Sequence, residues 1–446
     1  MARAERKKRR GDATRAVGGG ALAVLLTAAA LPAAVATPAH GPRGQALGTT
    51  QLISVAADGS AADGSSDAPS ISANGEVAAF TSEATNLVPD DTNRVEDVFV
   101  RHLRHGTIQR VEAPWGSRIH DPALSGDGHY LAYAQYDVAD GETHVIVRDL
   151  RTGHTERADV GLDAGHTGGE TPSLSADGRT VAFVARDADP STWGPPAVYV
   201  RDLRAQRTER VSDTATPGSH NKALQPSLSA DGTKVAYQWH VQATPGEDWG
   251  DVYVHDRATG GTTQADATHD GGPADGASHN PLLSDDGSAV LFQSQATNML
   301  PGDTPPGVSP FVRHLGTGKL TRIDPGPLPA LEPLVPEDIS TDGSKVLLRA
   351  SPYTQKDATY IRDLRTGVNV LVSPDKDGKP ARALHARMDA RAQTVVFAGY
   401  ASFLPGGNDG RQHVFVRMVR RQPSAPHADL SRPAPRAPGT VRGPGR

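Results

Sequence analysis

Five histidines recur along the chain shortly before copies of a segment that begins Pro-Ser-Leu-Ser or a variant of it. They are His120, His166, His220, His279 and His385. Imidazole nitrogens that converge from several repeats bind divalent transition metals. The distance to the following proline is two residues for His120 but six for His166. Because this offset varies, the competing interpretation is a set of loop histidines that hydrogen-bond to the backbone.

A second candidate site is the acidic segment DDTNRVED, which contains Asp90, Asp91 and Asp97. Its oxygen donors are close enough in sequence for a calcium-like cation or for a partner-binding surface, but it lacks the spacing and terminal glutamate of an EF-hand loop. The alternative is a solvated acidic rim, in which Asn and Asp side chains turn the loop. Similar carboxylates recur in later copies, among them Asp137, Asp140 and Glu142.

Three tryptophans fall in segments where the copies differ, namely Trp115, Trp193 and Trp249. Exposed tryptophans stack on sugars or anchor partner proteins, and tryptophan is frequent among binding hot spots. The alternative is that they cover apolar space between repeats.

Known catalytic patterns are missing from the sequence. It contains neither a G-x-S-x-G nucleophile elbow nor an H-E-x-x-H zinc motif. Cysteine is also absent, which excludes disulfides and a thiol nucleophile. The repeated Val-Arg-Asp-Leu aspartates, Asp149, Asp202 and Asp363, recur too regularly for one active site. We expect them to anchor turns or neighbouring repeats, with Arg148, Arg201 and Arg362 as candidate partners.

The elements that must position these residues are repeats of about fifty residues. The repeated segment aligns on Gly75, Gly128, Gly178, Gly232, Gly287 and Gly343, and Ala392 marks an eroded seventh copy. An Asp-Gly pair between two β-rich runs indicates a tight hairpin, in which we expect both turn residues to have positive φ. A second pair of runs follows, joined by a turn such as RDLRTG. Four antiparallel strands in each period predict a propeller blade.

Closure of the ring is also predicted. The seventh copy ends before its outer strand, and Thr49–Gly59 precedes the first copy as an unpaired strand. An N-terminal strand that completes the last blade removes two exposed sheet edges. We therefore predict an all-β, seven-bladed propeller over residues 49–421. The uniform turns between first and second and between third and fourth strands form its short-turn face. The variable connections between second and third strands and between blades form its long-loop face, where binding residues are expected.

The repeats PSLSADGRTVAFVARDA, VYVRDLRTG and TERVS, with SEATNLVPDDTNRVEDVFVRHL in the first copy, resemble TolB-like propeller repeats of exported bacterial proteins. The resemblance covers most of the chain. It implies the fold, and it leaves the activity open, because the family includes docking proteins, propellers joined to peptidases and relatives that act on acidic polysaccharides.

The ends of the chain predict its location. Residues 1–36 combine a basic start, a short apolar run and the sequence Ala34-Val35-Ala36, which is typical of a cleaved secretory signal; a retained anchor is the alternative. Residues 37–48 are interpreted as a linker, and the Pro- and Arg-rich residues 422–446 as a disordered tail. The chain has a formal charge of −5, and residues 1–36 contain seven basic and two acidic side chains. The acidic remainder argues against nucleic acid as a partner, and no stable membrane insertion is expected after signal cleavage.

Two functions from different classes fit these observations. The preferred one is a secreted, non-enzymatic scaffold that binds a protein or a cell-envelope polymer through its long-loop face and needs no cofactor. The alternative is a polysaccharide lyase or hydrolase, with one divalent cation such as Ca²⁺, Mn²⁺ or Zn²⁺ held by the histidines at the channel mouth.

Overall fold

A computed structural model describes residues 48–114, 117–163, 166–187, 196–212, 222–244, 247–302, 307–324, 334–350, 358–400, 403 and 409–419. For residues 187, 241–244 and 247–249 it describes the backbone alone. Within these ranges, 28 strands form seven four-stranded antiparallel sheets. The predicted all-β propeller of seven blades is confirmed. In this part of the chain, no helix has the length and apolar character needed to cross a membrane.

The strands of each blade are given from the channel outward. Blade 1 comprises β2 (Ser66–Ile71), β3 (Val77–Ser82), β4 (Asp97–His102) and β5 (Ile108–Val111). Blade 2 comprises β6 (Arg118–Leu124), β7 (Tyr130–Asp137), β8 (Glu142–Asp149) and β9 (Thr155–Arg157). Blade 3 comprises β10 (His166–Leu174), β11 (Thr180–Asp187), β12 (Ala197–Asp202) and β13 (Arg207–Arg210). Blade 4 comprises β14 (Lys222–Leu228), β15 (Lys234–Thr244), β16 (Glu247–Asp256) and β17 (Gly261–Gln264).

The remaining blades follow the same order. Blade 5 comprises β18 (Ser278–Leu283), β19 (Ala289–Ser294), β20 (Ser309–His314) and β21 (Leu320–Arg322). Blade 6 comprises β22 (Leu334–Ile339), β23 (Lys345–Ala350), β24 (Ala358–Asp363) and β25 (Asn369–Leu371). Blade 7 comprises β26 (Ala383–Met388), β27 (Thr394–Tyr400), β28 (Gln412–Met418) and, as its outer strand, β1 (Thr50–Leu52).

The ring is closed as predicted by the N-terminal strand. β1 pairs antiparallel with β28, with Thr50 opposite Arg417 and Leu52 opposite Phe415. The contact continues beyond the strand, where Ser54 Oγ accepts a hydrogen bond from Val414 N at 3.0 Å. The first and last strands of the propeller thus share one sheet, and no strand edge of blade 7 is left open on that side.

The repeated Ser-x-Asp-Gly segment is a structural turn. In blade 3, Ser175 Oγ donates to Asp177 Oδ1 (2.7 Å) and accepts from Thr180 N (3.0 Å). Gly178 N donates to Ser175 O, and Gly178 has a φ of 70°. Asp177, in contrast, does not have a positive φ. The expectation of positive φ at both residues is therefore wrong, because the glycine alone takes the left-handed conformation, as in longer hairpin loops.

The Val-Arg-Asp-Leu aspartates anchor turns, as predicted. Asp202 Oδ1 accepts from Arg204 N (2.9 Å) and Ala205 N (2.7 Å), and Asp149 and Asp363 accept the equivalent bonds. The predicted arginine partners are wrong at two sites. Arg201 donates instead to Gln206 and Thr208, and Arg362 donates to Gly367 O and Asn369. These arginines attach the third strand of a blade to its outer strand.

The hydrophobic core lies between the sheets. The second and third strands of each blade are covered on both faces, which explains their nearly continuous apolar sequences; all six residues of β3 are buried. One cluster combines Val145 of blade 2 with Phe183 and Tyr199 of blade 3. Full burial of each such side chain stabilises the fold by about 1.5–3 kcal/mol. Neighbouring blades are therefore held together by shared apolar contacts around the ring.

Candidate functional site

The seven inner strands enclose a central cavity. Its volume is about 510 Å³, and every blade contributes lining residues. Cavities of roughly 300–1,000 Å³ accommodate small ligands or the end of a polymer. The cavity extends from the short-turn end of the inner strands to a set of backbone bulges on their long-loop side.

The short-turn end of the channel is a ring of mostly small residues. They are Ala73, Gly126, Ala176, Ala230, Asp285, Thr341 and Ala390. Between each pair of neighbouring blades a backbone hydrogen bond of 2.8–3.4 Å joins these turns; for example, Ala176 N donates to Ala230 O. A Cβ on Gly126 would lie 2.8 Å from Ala176 Cβ, so larger side chains do not fit. Backbone hydrogen bonds and close packing thus fix the structure of the short-turn end and restrict it to small side chains.

The long-loop side of the channel differs because every inner strand is bulged there. The pairing of inner and second strands shifts register immediately before the repeated segment in all seven blades. In six blades the residue at the bulge has positive φ; these residues are Ala68, Asp121, Thr171, Gln225, Asn280 and His385. Ala68, Asp121, Thr171 and His385 also line the cavity. Bulges commonly redirect side chains beside functional sites, and here they give the mouth its variable chemistry.

Between these two ends, side chains tie neighbouring inner strands together. Ser70, Ser173 and Ser227 each accept a hydrogen bond through Oγ from a backbone N–H of the next blade, at 2.9–3.1 Å. Asp338 takes this place in blade 6, where its Oδ2 accepts from Met388 N at 2.8 Å. Burial raises the pKa of Asp338 to about 6, with the charge of Arg387 acting against this rise. A carboxylate in the channel thus replaces a neutral hydroxyl.

The channel lining contains more acidic than basic groups. Its titratable side chains are Asp121, Asp285, Asp338, His385 and Arg387. Burial also raises the pKa of Asp285, although its Oδ2 accepts from Thr341 Oγ1 at 2.8 Å. Arg387 Nη1 donates to the backbone oxygen of Glu337 at 2.9 Å. Acidic groups thus outnumber basic groups in this lining by three to two.

Of the five predicted histidines, the four that the structure describes do not form a group of three metal ligands. His120 pairs with its neighbour Asp121 (Nδ1 to Oδ2, 3.0 Å), and His385 pairs with Asp67 (Nδ1 to Oδ1, 2.7 Å). The hydrogen bond that His385 donates to the Asp67 carboxylate raises the pKa of His385, whereas burial lowers the pKa of His279. The His166 ring packs edge-on against Tyr199, at 5.7 Å between centroids. His220 lies outside the described residues, so a role for the full set stays a prediction.

Two of the three aspartates of the acidic segment are enclosed. Asp97 is fully buried; its Oδ2 accepts from Arg110 Nε and its Oδ1 from Ala113 N, both at 2.6 Å. Asp91 is also buried, with Oδ1 3.3 Å from Arg110 Nη2. Asp90 is exposed, and its backbone oxygen accepts from the same guanidinium. The segment wraps around Arg110, so its buried carboxylates position a loop, and the prediction of partner binding remains only for Asp90.

The predicted tryptophans add no described side chain to the mouth. Trp115 and Trp193 lie outside the described residues, and Trp249 belongs to β16 with its backbone alone described, opposite Val241. Their roles stay predictions.

The sequence did not single out His144, which lies in β8 just after the turn that joins β7 to β8. Within the described ranges, Asp137, Asp140 and His144 are the one group of three side chains whose ligand atoms all lie within 4.8 Å of one another. A local signal was present, because Asp-Gly-x-x-His-Val occurs both at Asp140 and at Asp409. Asp251 is one of the carboxylates that recur in these connections, and its pKa is raised to about 6 by burial and by the neighbouring charge of Asp266.

Comparison with known proteins supports the fold. No protein-family model matches the chain, and no curated protein matches it either. Among solved structures, an oligogalacturonate lyase in complex with manganese is similar at a TM-score of 0.57 and 12% identity, over 87% of this chain and 97% of that chain. The propeller domain of the trilobed protease from Pyrococcus furiosus has a TM-score of 0.52 and 12% identity, over 79% and 95%.

The solved structures that match also include TolB from Acinetobacter baumannii, at a TM-score of 0.39 and 17% identity, over 64% of this chain and 61% of that chain. Identities this low show a shared fold and leave the activity open. The propeller fold that the TolB-like resemblance implies is confirmed by the seven four-stranded sheets and by the matches with TM-scores above 0.5.

Proposed function

We propose that this chain is an exported binding protein, without catalytic turnover, that receives a positively charged group in the long-loop end of its central channel. The group belongs to a partner protein or to an amine-bearing polymer of the cell envelope. The observation that supports this most directly is a cavity of about 510 Å³ lined by Asp121, Asp285 and Asp338, with Arg387 and His385 as its basic groups.

The electrostatics of the lining support a cationic ligand. Partial burial raises the pKa of the Asp338 carboxyl group, although the charge of Arg387 acts against this rise. Asp338 therefore lacks enough neighbouring positive charge to offset its desolvation in full. An ammonium or guanidinium group in the cavity would supply this charge and would bind more tightly as the carboxylates ionise.

The shape of the channel supports binding from the long-loop side. At the short-turn end, a ring of backbone hydrogen bonds and small side chains leaves little room for new contacts. At the other end, the bulges present side chains of different kinds from blade to blade. Binding residues commonly occupy variable positions on a rigid frame. Export rests on the signal-like residues 1–36.

A polysaccharide lyase is the competing function, and the fold of the oligogalacturonate lyase is its support. Substrates of that class carry a carboxylate on each sugar. The acidic lining disfavours such chains, because like charges repel in a partly desolvated cavity. We therefore keep this function as an outcome of the test.

The proposal is tested by calorimetric titration of the full-length chain with four probes. These are a short lysine- and arginine-rich peptide, an acidic peptide of equal length, deacetylated glucosamine oligomers and oligogalacturonates. We expect binding of the cationic peptide or of the amine-bearing sugars, weakened by added salt, and the pair of positive probes separates a protein partner from a polymer.

Two variants locate the binding. Asp121→Asn combined with Asp338→Asn should weaken the cationic probe by about tenfold or more, equivalent to about 1.4 kcal/mol. Asp377→Asn, at an exposed carboxylate paired with Lys376, is the surface control and should bind like the parent chain. Binding or cleavage of oligogalacturonates, with no response to cationic probes, would refute the proposal in favour of the lyase.

A further inference from the structure

Three side chains of types that bind metals lie close together around the turn that joins β7 to β8. They are not part of the channel lining. The ligand atoms of Asp137, Asp140 and His144 lie within 4.8 Å of one another. Asp137 ends β7, Asp140 follows in the turn, and His144 stands in β8. The Asp137 carboxylate also accepts from Ala139 N (2.9 Å), and Asp140 Oδ1 accepts from Glu142 N (3.0 Å). The turn thus holds both carboxylates on the side of the imidazole.

The orientation of His144 is determined by a buried carboxylate behind it. Its side chain is 4% exposed, and Nδ1 lies 2.9 Å from Asp159 Oδ2. Asp159 is fully enclosed and accepts from Arg157 Nη2 (2.9 Å) and Val145 N (3.1 Å). The contact with Asp159 thus lies on the Nδ1 side of the ring and orients Nε2 toward the turn that contains Asp140. A carboxylate in this position fixes the tautomer and raises the basicity of a metal-binding histidine.

The other ring nitrogen faces a second carboxylate. His144 Nε2 lies 2.9 Å from Asp140 Oδ2. A cation placed between Nε2 and Asp140 would contact both, and a metal ion bound there would use the ring nitrogen that Asp159 does not contact. Asp137 adds a further carboxylate at the same point, which is the donor set that distinguishes a metal site from a simple ion pair.

We propose that Asp137, Asp140 and His144 Nε2 bind one divalent transition-metal ion of the Zn²⁺ or Mn²⁺ class, with Asp159 as the positioning residue behind the histidine. Ligand atoms of tetrahedral zinc, at about 2.0–2.1 Å from the ion, are about 3.3 Å apart, so small side-chain rotations bring these three to bonding distance. The imidazole ligand favours zinc over calcium, and the two carboxylates also suit manganese. Asp140 is 46% exposed, which leaves this side open to water or a ligand oxygen.

Blade 7 contains a natural comparison for this site. Asp409 and His413 repeat the spacing of Asp140 and His144, with His413 Nε2 3.1 Å from Asp409 Oδ2. At the place of Asp159, however, blade 7 has Ser54, whose Oγ accepts from Val414 N as Asp159 accepts from Val145 N. The described residues place no third ligand beside the pair in blade 7. A carboxylate facing histidine Nε2 is thus common to both blades, and the additional ligand and the buried aspartate are specific to blade 2.

The test uses Zn²⁺ and Mn²⁺ alone, added to the chelator-treated full-length chain. We expect one Zn²⁺ per chain by metal analysis after buffer exchange and a higher melting temperature with Zn²⁺ present. Asp140→Asn should weaken the affinity for Zn²⁺ by more than the roughly 10- to 100-fold loss that follows removal of a residue hydrogen-bonded to a ligand. The matched substitution Asp409→Asn in blade 7 should leave both stoichiometry and affinity unchanged.

Nitrogen NMR of the histidine rings supplies a readout that does not depend on affinity. Zn²⁺ should shift the Nε2 resonance of His144 and leave Nδ1 protonated, and it should not shift His413. Asp137→Asn provides a second ligand variant if Asp140→Asn loses its folded near-UV spectrum. The proposal is overturned if Zn²⁺ leaves the His144 resonances unmoved, or if Asp140→Asn and Asp409→Asn bind the metal equally. In either case, an imidazolium shared by Asp140 and Asp159 accounts for the contacts.

Discussion

The two ends of the central channel are built from the same seven strands and are held in different ways. At the short-turn end, backbone groups of adjacent blades bond to each other, and small residues such as Gly126 and Ala176 fill the ring. At the long-loop end, bulges turn side chains such as Asp121 and His385 toward the opening. This difference indicates that the repeated segments stabilise the ring, and that the proposed binding residues lie where the repeats differ.

The largest expected effect concerns a long-loop carboxylate that belongs to the scaffold. Asp97→Ala should lower the free energy of unfolding by about 3–5 kcal/mol, because the mostly buried Arg110 guanidinium loses its nearest counter-charge and Ala113 N loses its buried acceptor. Urea denaturation measures the loss. Asp90→Ala, at an exposed neighbour, is the control and should change stability by less than about 0.5 kcal/mol. A similar small effect at Asp97 would show that the loop does not depend on this pair.

The second prediction concerns the short-turn end. Gly178 has a φ of 70°, and an added Cβ would lie 2.3–2.6 Å from the Tyr130 side chain. Gly178→Ala should therefore destabilise the fold by about 2–5 kcal/mol, from left-handed strain of about 1–2 kcal/mol and overpacking of about 1–3 kcal/mol. Binding of the cationic probe, measured on the folded protein, should not change.

Gly260 separates the two causes. Its φ is 71°, and an added Cβ would meet nothing within 4 Å. Gly260→Ala should lose only the strain, about 1–2 kcal/mol. Equal losses at the two glycines in denaturant unfolding would mean that packing of the turn against Tyr130 contributes little.

The third and smallest prediction contrasts the pH response of two carboxylates. Burial and Asp266 raise the pKa of Asp251, on the long-loop side, to about 6. The folded state then holds its proton more tightly than the unfolded state, whose pKa is about 3.9, so stability is lost as pH rises from about 4 to 6. Asp251→Asn should raise the free energy of unfolding by about 1–3 kcal/mol at pH 7 and should have little effect at pH 4.

Asp231, in a short turn, should respond in the opposite direction. Burial acts to raise its pKa, but hydrogen bonds from Ser229 and Thr233 outweigh burial and lower the pKa below the ordinary value. Its charge stabilises the fold above the unfolded pKa, and this contribution is lost as pH falls. Asp231→Asn should cause a small loss at pH 7 that disappears in acid; Asn74 already occupies this place in blade 1. The same sign for both variants in thermal unfolding from pH 4 to 7 would contradict the contrast.

The blades and their order were predictable because each copy repeats local turn chemistry. Ser-x-Asp-Gly fixes one hairpin through Ser175 and Asp177, and the orphan strand at Thr50 indicated closure. The channel lining was not predictable in the same way. It depends on backbone bulges beside Asp121 and His385, where the pairing of the inner strand with the second strand shifts its register. The burial of Asp97 likewise depends on Arg110 from a later strand.

The position of bound ligand tests the central claim most directly. A lysine- and arginine-rich peptide with a photo-reactive benzophenone should be cross-linked to the full-length chain, and the attachment sites mapped by mass spectrometry. We expect the peptide to attach to the inner strands near Asp121, Asp338 and Arg387. This attachment should disappear when excess unlabelled peptide is present. Competed attachment to the short-turn face or to the outer strands of the blades would contradict it.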